Sequence, residues 1–182
     1  MEKIVFLSDI HGSLFYLQSA IDRIKEERPD YIVLLGDLLY HGARNPLTKD
    51  YNPKEVTALL NSLTNKLIAV RGNCDSEVDA MVLDFPMTAD YTIVLRGGKR
   101  LFLTHGHVFN ESAMPRLNKG DAFIYGHTHI PRTECIDGIY MLNPGSIALP
   151  KEKHPHTYAV LEEDWFRIKE MDGWLYQEIR LS

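Results

Sequence analysis

The sequence KIVFLSDIHG, residues 3–12, joins a run of apolar residues to an Asp-x-His pair and a glycine. The apolar run predicts a buried strand, because short continuous apolar runs are typical of strands covered on both faces. Ser13 then predicts the start of a helix with apolar residues on one face. A strand at 31–35, a helix opened by Pro53 and a strand at 66–70 repeat the pattern. The repeats predict β-α-β units with parallel strands, whose functional residues cluster beyond the carboxyl ends of the strands.

The second half of the chain has a different pattern of short, mostly hairpin-like strands with Gly-Gly and Asp-Gly turns. The predicted strands cover residues 91–95, 100–104, 121–125, 132–136, 139–142, 157–161, 165–171 and 174–179. This many apolar strands predicts two sheets that face each other, with helices outside. The segment PKEKHPH, residues 150–156, is predicted to be an exposed loop.

The composition favours one domain over residues 1–182, because 45% apolar residues are enough for a full core at this length. A signal peptide and a membrane span are not predicted, so a cytoplasmic protein without membrane contact is expected. Two cysteines do not suggest a disulfide framework. A net charge of −5 argues against binding extended nucleic acid.

Five short motifs follow the predicted strands, and they contain five of the eight histidines. Their polar residues are Asp9 and His11, Asp37, Asn73 and Asp75, His105 and His107, and His127 and His129. Each motif alone is weak evidence, since capped turns and Gly-Asp loops are common. Together they predict a site for two divalent ions, because carboxylate and imidazole are suitable ligands. Two such ions can support phosphoester hydrolysis.

The ordered motifs Asp-x-His, Gly-Asp, Gly-Asn-x-Asp, His-Gly-His and Gly-His-x-His resemble those of the calcineurin-like metallophosphoesterases. RGNCDSEVD and the later NPGS resemble the YfcE-type bacterial phosphodiesterases within that family. The resemblance implies a four-layer α/β/β/α sandwich and two divalent ions, with manganese expected first and iron, zinc or nickel as alternatives. It implies one ion held by Asp9, His11 and His129, another held by Asn73, His105 and His127, and Asp37 bridging the two.

Cys74 departs from the family pattern, because many relatives have a histidine there that contacts the scissile phosphate or protonates the leaving group. A metal thiolate is disfavoured, since the implied ligand set is complete without sulfur. A covalent nucleophile is disfavoured, since a bridging hydroxide attacks in this family. We interpret Cys74 as an occupant of the missing histidine's place, with an inert packed thiol as the alternative.

Each of the other candidates also has a structural alternative. Asp75 is predicted to orient a neighbouring group or a ligand, or else to cap a helix. Arg44 follows the bridging aspartate and is predicted to grip a phosphate oxygen, or else to be a solvated or subunit-contact residue. The roles of His41 and His107 stay open, and residues 143–146 are predicted to be a turn that can brace the ligand loops. The candidate catalytic residues are therefore Asp37, Asn73, Cys74, Asp75 and Arg44.

The leading hypothesis is a metal-dependent phosphodiesterase that cleaves a small phosphodiester by in-line attack of a metal-bridging hydroxide. The alternatives are a catalytically weak protein-binding scaffold of the same fold, a phosphomonoesterase, or a cyclic nucleotide phosphodiesterase. The complete ligand set favours catalysis over the scaffold. A homo-oligomer, dimer or tetramer, is also expected from the family resemblance.

Overall fold

The computed structural model describes residues 2–181, which form a six-stranded and a five-stranded sheet. The strands are β1 (Ile4–Leu7), β2 (Tyr31–Leu34), β3 (Leu67–Ala69), β4 (Tyr91–Arg96), β5 (Lys99–Thr104), β6 (Ala122–Ile124), β7 (Arg132–Ile136), β8 (Ile139–Asn143), β9 (Thr157–Glu162), β10 (Trp165–Glu170) and β11 (Leu175–Arg180). The α-helices are α1 (Leu14–Glu27), α2 (Pro53–Asn61) and α3 (Glu77–Val82), and a 3₁₀ turn spans Thr64–Lys66. Among the residues described, no helix has the length and apolar character needed to cross a bilayer.

The helices begin at side chains that accept otherwise unpaired backbone N–H groups. At α1 the hydroxyl of Ser13 accepts a hydrogen bond from the Tyr16 amide, so the predicted start is confirmed. At α2 the Asn52 side chain accepts from Glu55, and Pro53 fills the first turn as predicted. Helix α3 lies outside the predicted elements, because six residues are too few to show a period. Its sequence signal is a capping box of Ser76 with Asp79.

The six-stranded sheet has the order β11-β10-β9-β1-β2-β3. Strands β1, β2 and β3 are parallel, which confirms the β-α-β units predicted for the first half of the chain. The last three strands are antiparallel neighbours that extend the sheet beyond β1.

The five-stranded sheet has the order β4-β5-β6-β8-β7 and differs in part from the predicted hairpins. The pairs β4–β5 and β7–β8 are hairpins, but β5, β6 and β8 run parallel to one another. Parallel pairing depends on contacts far apart in the chain, so the local turn signals do not reveal it. The parallel strands place a second set of carboxyl ends beside the first.

The two sheets face each other across a continuous apolar core. Phe6 and Leu35 from the first sheet belong to the same buried cluster as Leu103 and Ile124 from the second. The Phe6 and Phe166 rings, 5.5 Å apart between centroids, lie within this layer. The predicted sandwich of two facing mixed sheets is therefore confirmed.

The two outer faces are covered differently. Helices α1 and α2 pack on the six-stranded sheet through Leu17, Ala20 and Leu60. The outer face of the five-stranded sheet carries the buried rings of Phe102 and Phe123. Phe109 and other residues of the irregular segment 105–120 cover them. Within residues 2–181 the fourth layer is thus a loop rather than a helix, in keeping with a sequence that lacks a helical apolar period there.

Candidate metal centre

All five motifs lie beyond the carboxyl ends of parallel strands, and contacts between the sheets bring these ends together. The strands concerned are β1, β2 and β3 in one sheet and β5 and β6 in the other. The ring of His105 hydrogen-bonds to the Leu35 carbonyl across the sheets, and the His127 amide donates to the Asp9 carboxylate. One site therefore receives ligands from both halves of the chain.

Five of the predicted ligands have a left-handed backbone conformation, which is uncommon for residues other than glycine. Their φ angles are 56° at Asp9, 47° at His11, 56° at Asp37, 62° at His127 and 61° at His129. Backbone hydrogen bonds between the β1 and β2 loops hold this geometry, including one of 2.9 Å from the His11 amide to the Asp37 carbonyl. Such conformations are costly and often mark functional sites.

The first cluster consists of Asp9, His11 and His129, all buried, with ligand atoms that lie within 4.8 Å of one another. The Nε2 atoms of His11 and His129 are 3.4 Å apart, and His129 Nε2 lies 3.2 Å from Asp9 Oδ1. That buried carboxylate oxygen has no hydrogen-bond partner among the described residues. An unpaired buried oxygen beside two converging imidazole nitrogens fits a cation at this point.

Backbone carbonyls fix the orientation of three of these rings. The Nδ1 atoms of His11, His105 and His129 lie 2.8, 2.6 and 2.5 Å from the carbonyl oxygens of Tyr40, Leu35 and Leu149. A carbonyl can only accept, so each Nδ1 carries a proton. In the neutral ring this leaves the Nε2 lone pair facing the site, as in known histidine ligands of metals.

The second cluster lies around Asp37 and His105. His105 Nε2 is 3.5 Å from Asp37 Oδ1 and 3.1 Å from Asn73 Oδ1. The ring of His127 is 5.1 Å from that of His105 between centroids, although His127 belongs to none of the tight three-residue groups. Asp37 groups both with Asp9 and His105 and with His11 and Cys74, which is the position needed by a residue that bridges two ions.

The protonation of the site reflects buried carboxylates beside imidazoles. Burial favours the neutral carboxyl, but the adjacent ring of His129 and the charges of His105 and His11 outweigh it and lower the pKa of Asp9. Burial disfavours the imidazolium of His105, but the hydrogen bond to Asp37 and the charges of Asp9 and Asp37 raise its pKa to about 9. Burial and the neighbouring His105 lower the pKa of His127. Protons on the imidazoles thus partly balance the negative charge of the carboxylates. A divalent cation that binds here would have to displace these protons.

Asp75 positions the loop that carries Asp37. Its carboxylate accepts hydrogen bonds from the amides of Asp37 (2.8 Å), Leu38 (2.7 Å) and Gly72 (2.7 Å). A side chain on Gly72 would collide with Asp37, so the two loops approach closely only because that residue is glycine. The contacts support the predicted orienting role, and the helix-cap alternative is wrong because Ser76 caps α3.

Cys74 lies at the edge of the candidate metal site. Its amide donates to Asp37 Oδ1 at 2.8 Å, and its sulfur accepts a weak hydrogen bond from Asn73 Nδ2 at 3.3 Å. Burial and the charge of Asp37 raise the pKa of the thiol to about 12. The side chain therefore stays a neutral thiol at physiological pH, in the absence of bound cations.

A cavity of about 840 Å³ opens over the cluster. Arg44 lines it and is exposed. Tyr40, Thr128 and Lys151 also line it and are absent from the predicted set. The only sequence signal for Tyr40 and Thr128 is their nearness to the motifs. Lys151 lies 22 residues beyond the last motif histidine, in the predicted exposed loop, and carries no such signal.

The histidines of uncertain role lie beside the cavity rather than in its wall. His41 packs edge-on against Tyr51 at 5.2 Å, and His107 packs edge-on against His105 at 5.4 Å. The loop 150–156 is less exposed than predicted at its end, where His156 stacks on Tyr16 at 3.9 Å. These contacts favour packing roles for His41 and His156.

The turn at residues 143–146 braces the ligand loops. The Asn143 side chain donates to the Gly126 carbonyl at 2.9 Å, beside His127. The Ser146 hydroxyl donates to the Asp9 carbonyl at 3.0 Å. This turn follows β8, so a sixth parallel strand also contributes its carboxyl end to the site.

Residues 2–164 match the model of the calcineurin-like phosphoesterase superfamily domain. The chain is 47% identical over 164 residues to phosphodiesterase YfcE of Escherichia coli, covering 90% of this chain and 89% of the relative. It is 27% identical over 165 residues to the probable metallophosphoesterase YsnB of Bacillus subtilis, covering 87% and 82%.

Among solved structures, that of the E. coli phosphoesterase Yfce matches with a TM-score of 0.97 at 42% identity, over 99% of this chain and 100% of the other. Vps29 of Entamoeba histolytica complexed with zinc matches with a TM-score of 0.66 at 19% identity, over 99% of both chains. The second likeness concerns the fold alone.

The three hydrogen bonds accepted by Asp75 lead to a test. We expect Asp75→Asn to lower the free energy of unfolding by about 3 kcal/mol, because the amide group turns a donor toward backbone donors and cannot accept all three hydrogen bonds. Manganese affinity should fall by about tenfold or more, because Asp37 is no longer held. Urea unfolding and metal titration measure the two effects. The control is Asp84→Asn, which changes an exposed carboxylate. Equal behaviour of the two variants would show that Asp75 does not position the loop.

Proposed function

The chain belongs to the calcineurin-like phosphoesterase superfamily, and we propose that it hydrolyses small phosphodiesters with two divalent metal ions. The relative that is 47% identical is described as a phosphodiesterase, and the match covers 89% of its length. Manganese is proposed as the activating ion, because the predicted ligands are carboxylate, amide and imidazole without a thiolate that would select zinc.

One observation carries the proposal. The buried Asp9 oxygen without a hydrogen-bond partner faces two imidazole nitrogens 3.4 Å apart whose other nitrogens are fixed by backbone carbonyls. Hydrogen bonding within the protein leaves this set incomplete, whereas a divalent cation completes it. We assign one ion to Asp9, His11 and His129 and a second to Asn73, His105 and His127, with Asp37 shared.

The two ions would supply the activated water nucleophile and polarise the phosphoryl oxygen. The residues of this chain hold the ligand loops and the substrate in position. Asp75 and the turn at 143–146 hold the ligand loops, and the buried sheet ends exclude bulk water from one side of the site. Arg44 and Lys151 lie at the cavity wall, where their charges can bind the phosphate oxygens and reduce repulsion of the anionic substrate.

The neutral thiol of Cys74 limits the substrates. A positioned general acid contributes roughly 10²–10⁴-fold when the leaving oxygen needs a proton. A thiol, whose ordinary pKa is about 8.5, is a weaker proton donor than the imidazolium of a histidine in this place. Esters with good leaving groups, such as aryl esters, are therefore the favoured substrates, and alkyl esters are disfavoured.

The function is tested by metal reconstitution. Exhaustively chelated protein should be inactive, and manganese should restore turnover of an aryl diester more than of an aryl monoester or a cyclic nucleotide. Asp37→Asn should lose metal and most turnover, because one ligand serves both ions, whereas Asp84→Asn should behave as the parent protein. Stoichiometric metal binding without turnover of any ester would favour the scaffold function instead.

Arg44→Ala should weaken binding or turnover of the diester and leave the metal content unchanged, because the arginine lines the cavity without being a predicted ligand. Loss of one charge-assisted hydrogen bond corresponds to about tenfold or more in kcat/KM. Arg116→Ala is the matched control, since that exposed arginine lies outside the cavity. Identical kinetics of both variants would make Arg44 a solvated loop residue.

Cys74→Ala should change turnover of an aryl diester little, because phenolate leaves without a proton donor. Cys74→His should selectively raise turnover of alkyl esters, by up to about 10²-fold, if the ring supplies that proton. Both variants are compared on an aryl and an alkyl ester, with metal content measured in parallel. Loss of aryl diester turnover in Cys74→Ala with both ions retained would assign the thiol a direct catalytic role.

A further inference from the structure

A second pocket adjoins the metal-site cavity, and its chemistry is different. It has a volume of about 540 Å³, in the range of small-molecule sites. Its walls are mostly apolar, with one lysine and one aspartate: Leu39, Tyr40, Tyr51, Pro53, Lys54, Thr57, Cys74, Ser76, Val78, Asp79 and Val82. Tyr40, Cys74 and Ser76 line both cavities, so the two adjoin at these residues.

Cys74 connects the pocket to the metal centre. The same residue that donates its amide to Asp37 and accepts a hydrogen bond from Asn73 also forms part of the pocket wall. A phosphate held at the cluster would therefore have the pocket on the side of Cys74 and the cationic Arg44 and Lys151 in the other cavity. The two cavities therefore offer different surroundings, one with cationic side chains and one mostly apolar.

Helix α3 forms one wall of the pocket and has no buried residue. Val78 and Val82, four positions apart on one face, are 64% and 46% exposed. Apolar side chains that line a concave pocket are typical of small-molecule sites. On the opposite wall the Tyr51 ring is fixed in place, since it packs against Gly12 and edge-on against His41. The pocket therefore offers a rigid aromatic wall and an apolar helical wall.

From these observations we infer that the pocket binds an aryl group esterified to the phosphate, so that the substrate is an aryl phosphodiester. The inference rests on the proposed function and adds the identity of one substituent. A flat aromatic ring suits a wall that contains two tyrosine rings. The pocket adjoins the cavity over the metal site, which makes a group of the substrate the natural occupant.

Binding of phosphonates tests the inference without turnover. Phenylphosphonate and methylphosphonate share the anionic group and differ only in the substituent, so their affinities for the manganese-loaded protein report on the pocket. Isothermal titration should show phenylphosphonate binding about tenfold or more tightly, from burial of the ring. Thr57→Trp, which fills the pocket from α2, and Val82→Asn should remove most of this preference while methylphosphonate affinity stays unchanged.

Met81→Asn is the matched control, because Met81 lies on the same helix, is 81% exposed and does not line the pocket. It should retain the full preference, and thermal unfolding checks that each variant is folded.

Equal affinity for both phosphonates in the parent protein would overturn the inference and leave the proposed function intact. Failure of both to bind would count against the metal-phosphate site itself. A changed molecular mass of Val82→Asn with an unchanged preference would identify the pocket as a subunit interface and also overturn the inference.

Discussion

The buried carboxylate of Asp9 determines what the rest of the site has to provide. Asp9 is fully buried, and one of its oxygens accepts from the Ser8 hydroxyl and the His127 amide while the other has no hydrogen-bond partner among the described residues. A buried charge is costly unless it is compensated, so positive charge has to be supplied. In the isolated chain His129 and His105 supply it in part. The site is therefore built for cations before any substrate arrives.

The parallel strands explain how one short chain surrounds this carboxylate. Six parallel strands, three in each sheet, end at the same edge of the sandwich, and the loops there carry every predicted ligand. The core between the sheets fixes their separation, so the loops are anchored to rigid elements at both sides. Asp75 and Ser146 then lock individual loops with buried hydrogen bonds. Packing far from the cluster thus fixes the positions of the predicted ligands.

The sequence predicted what depends on local pattern. The strand before Asp9, the helix start at Ser13 and the motif residues need only neighbouring positions, and the five motifs were specific enough to indicate the family. Features that depend on distant pairing were missed: the parallel order of β5, β6 and β8, and the arrival of Lys151 in the cavity. The sequence also did not predict that Asp75 accepts hydrogen bonds from another loop, because a carboxylate before a helix is typical of a helix cap.

Helix α3 has a consequence for motion. It has six residues, no buried side chain and a capping box as its main local support, so little free energy holds it against the domain. Its amides should belong to the fraction that exchanges with solvent through local opening rather than global unfolding. Helix α3 can therefore open without moving the predicted metal ligands. The reacting centre stays rigid, while the pocket beside it adapts to substituents of different size.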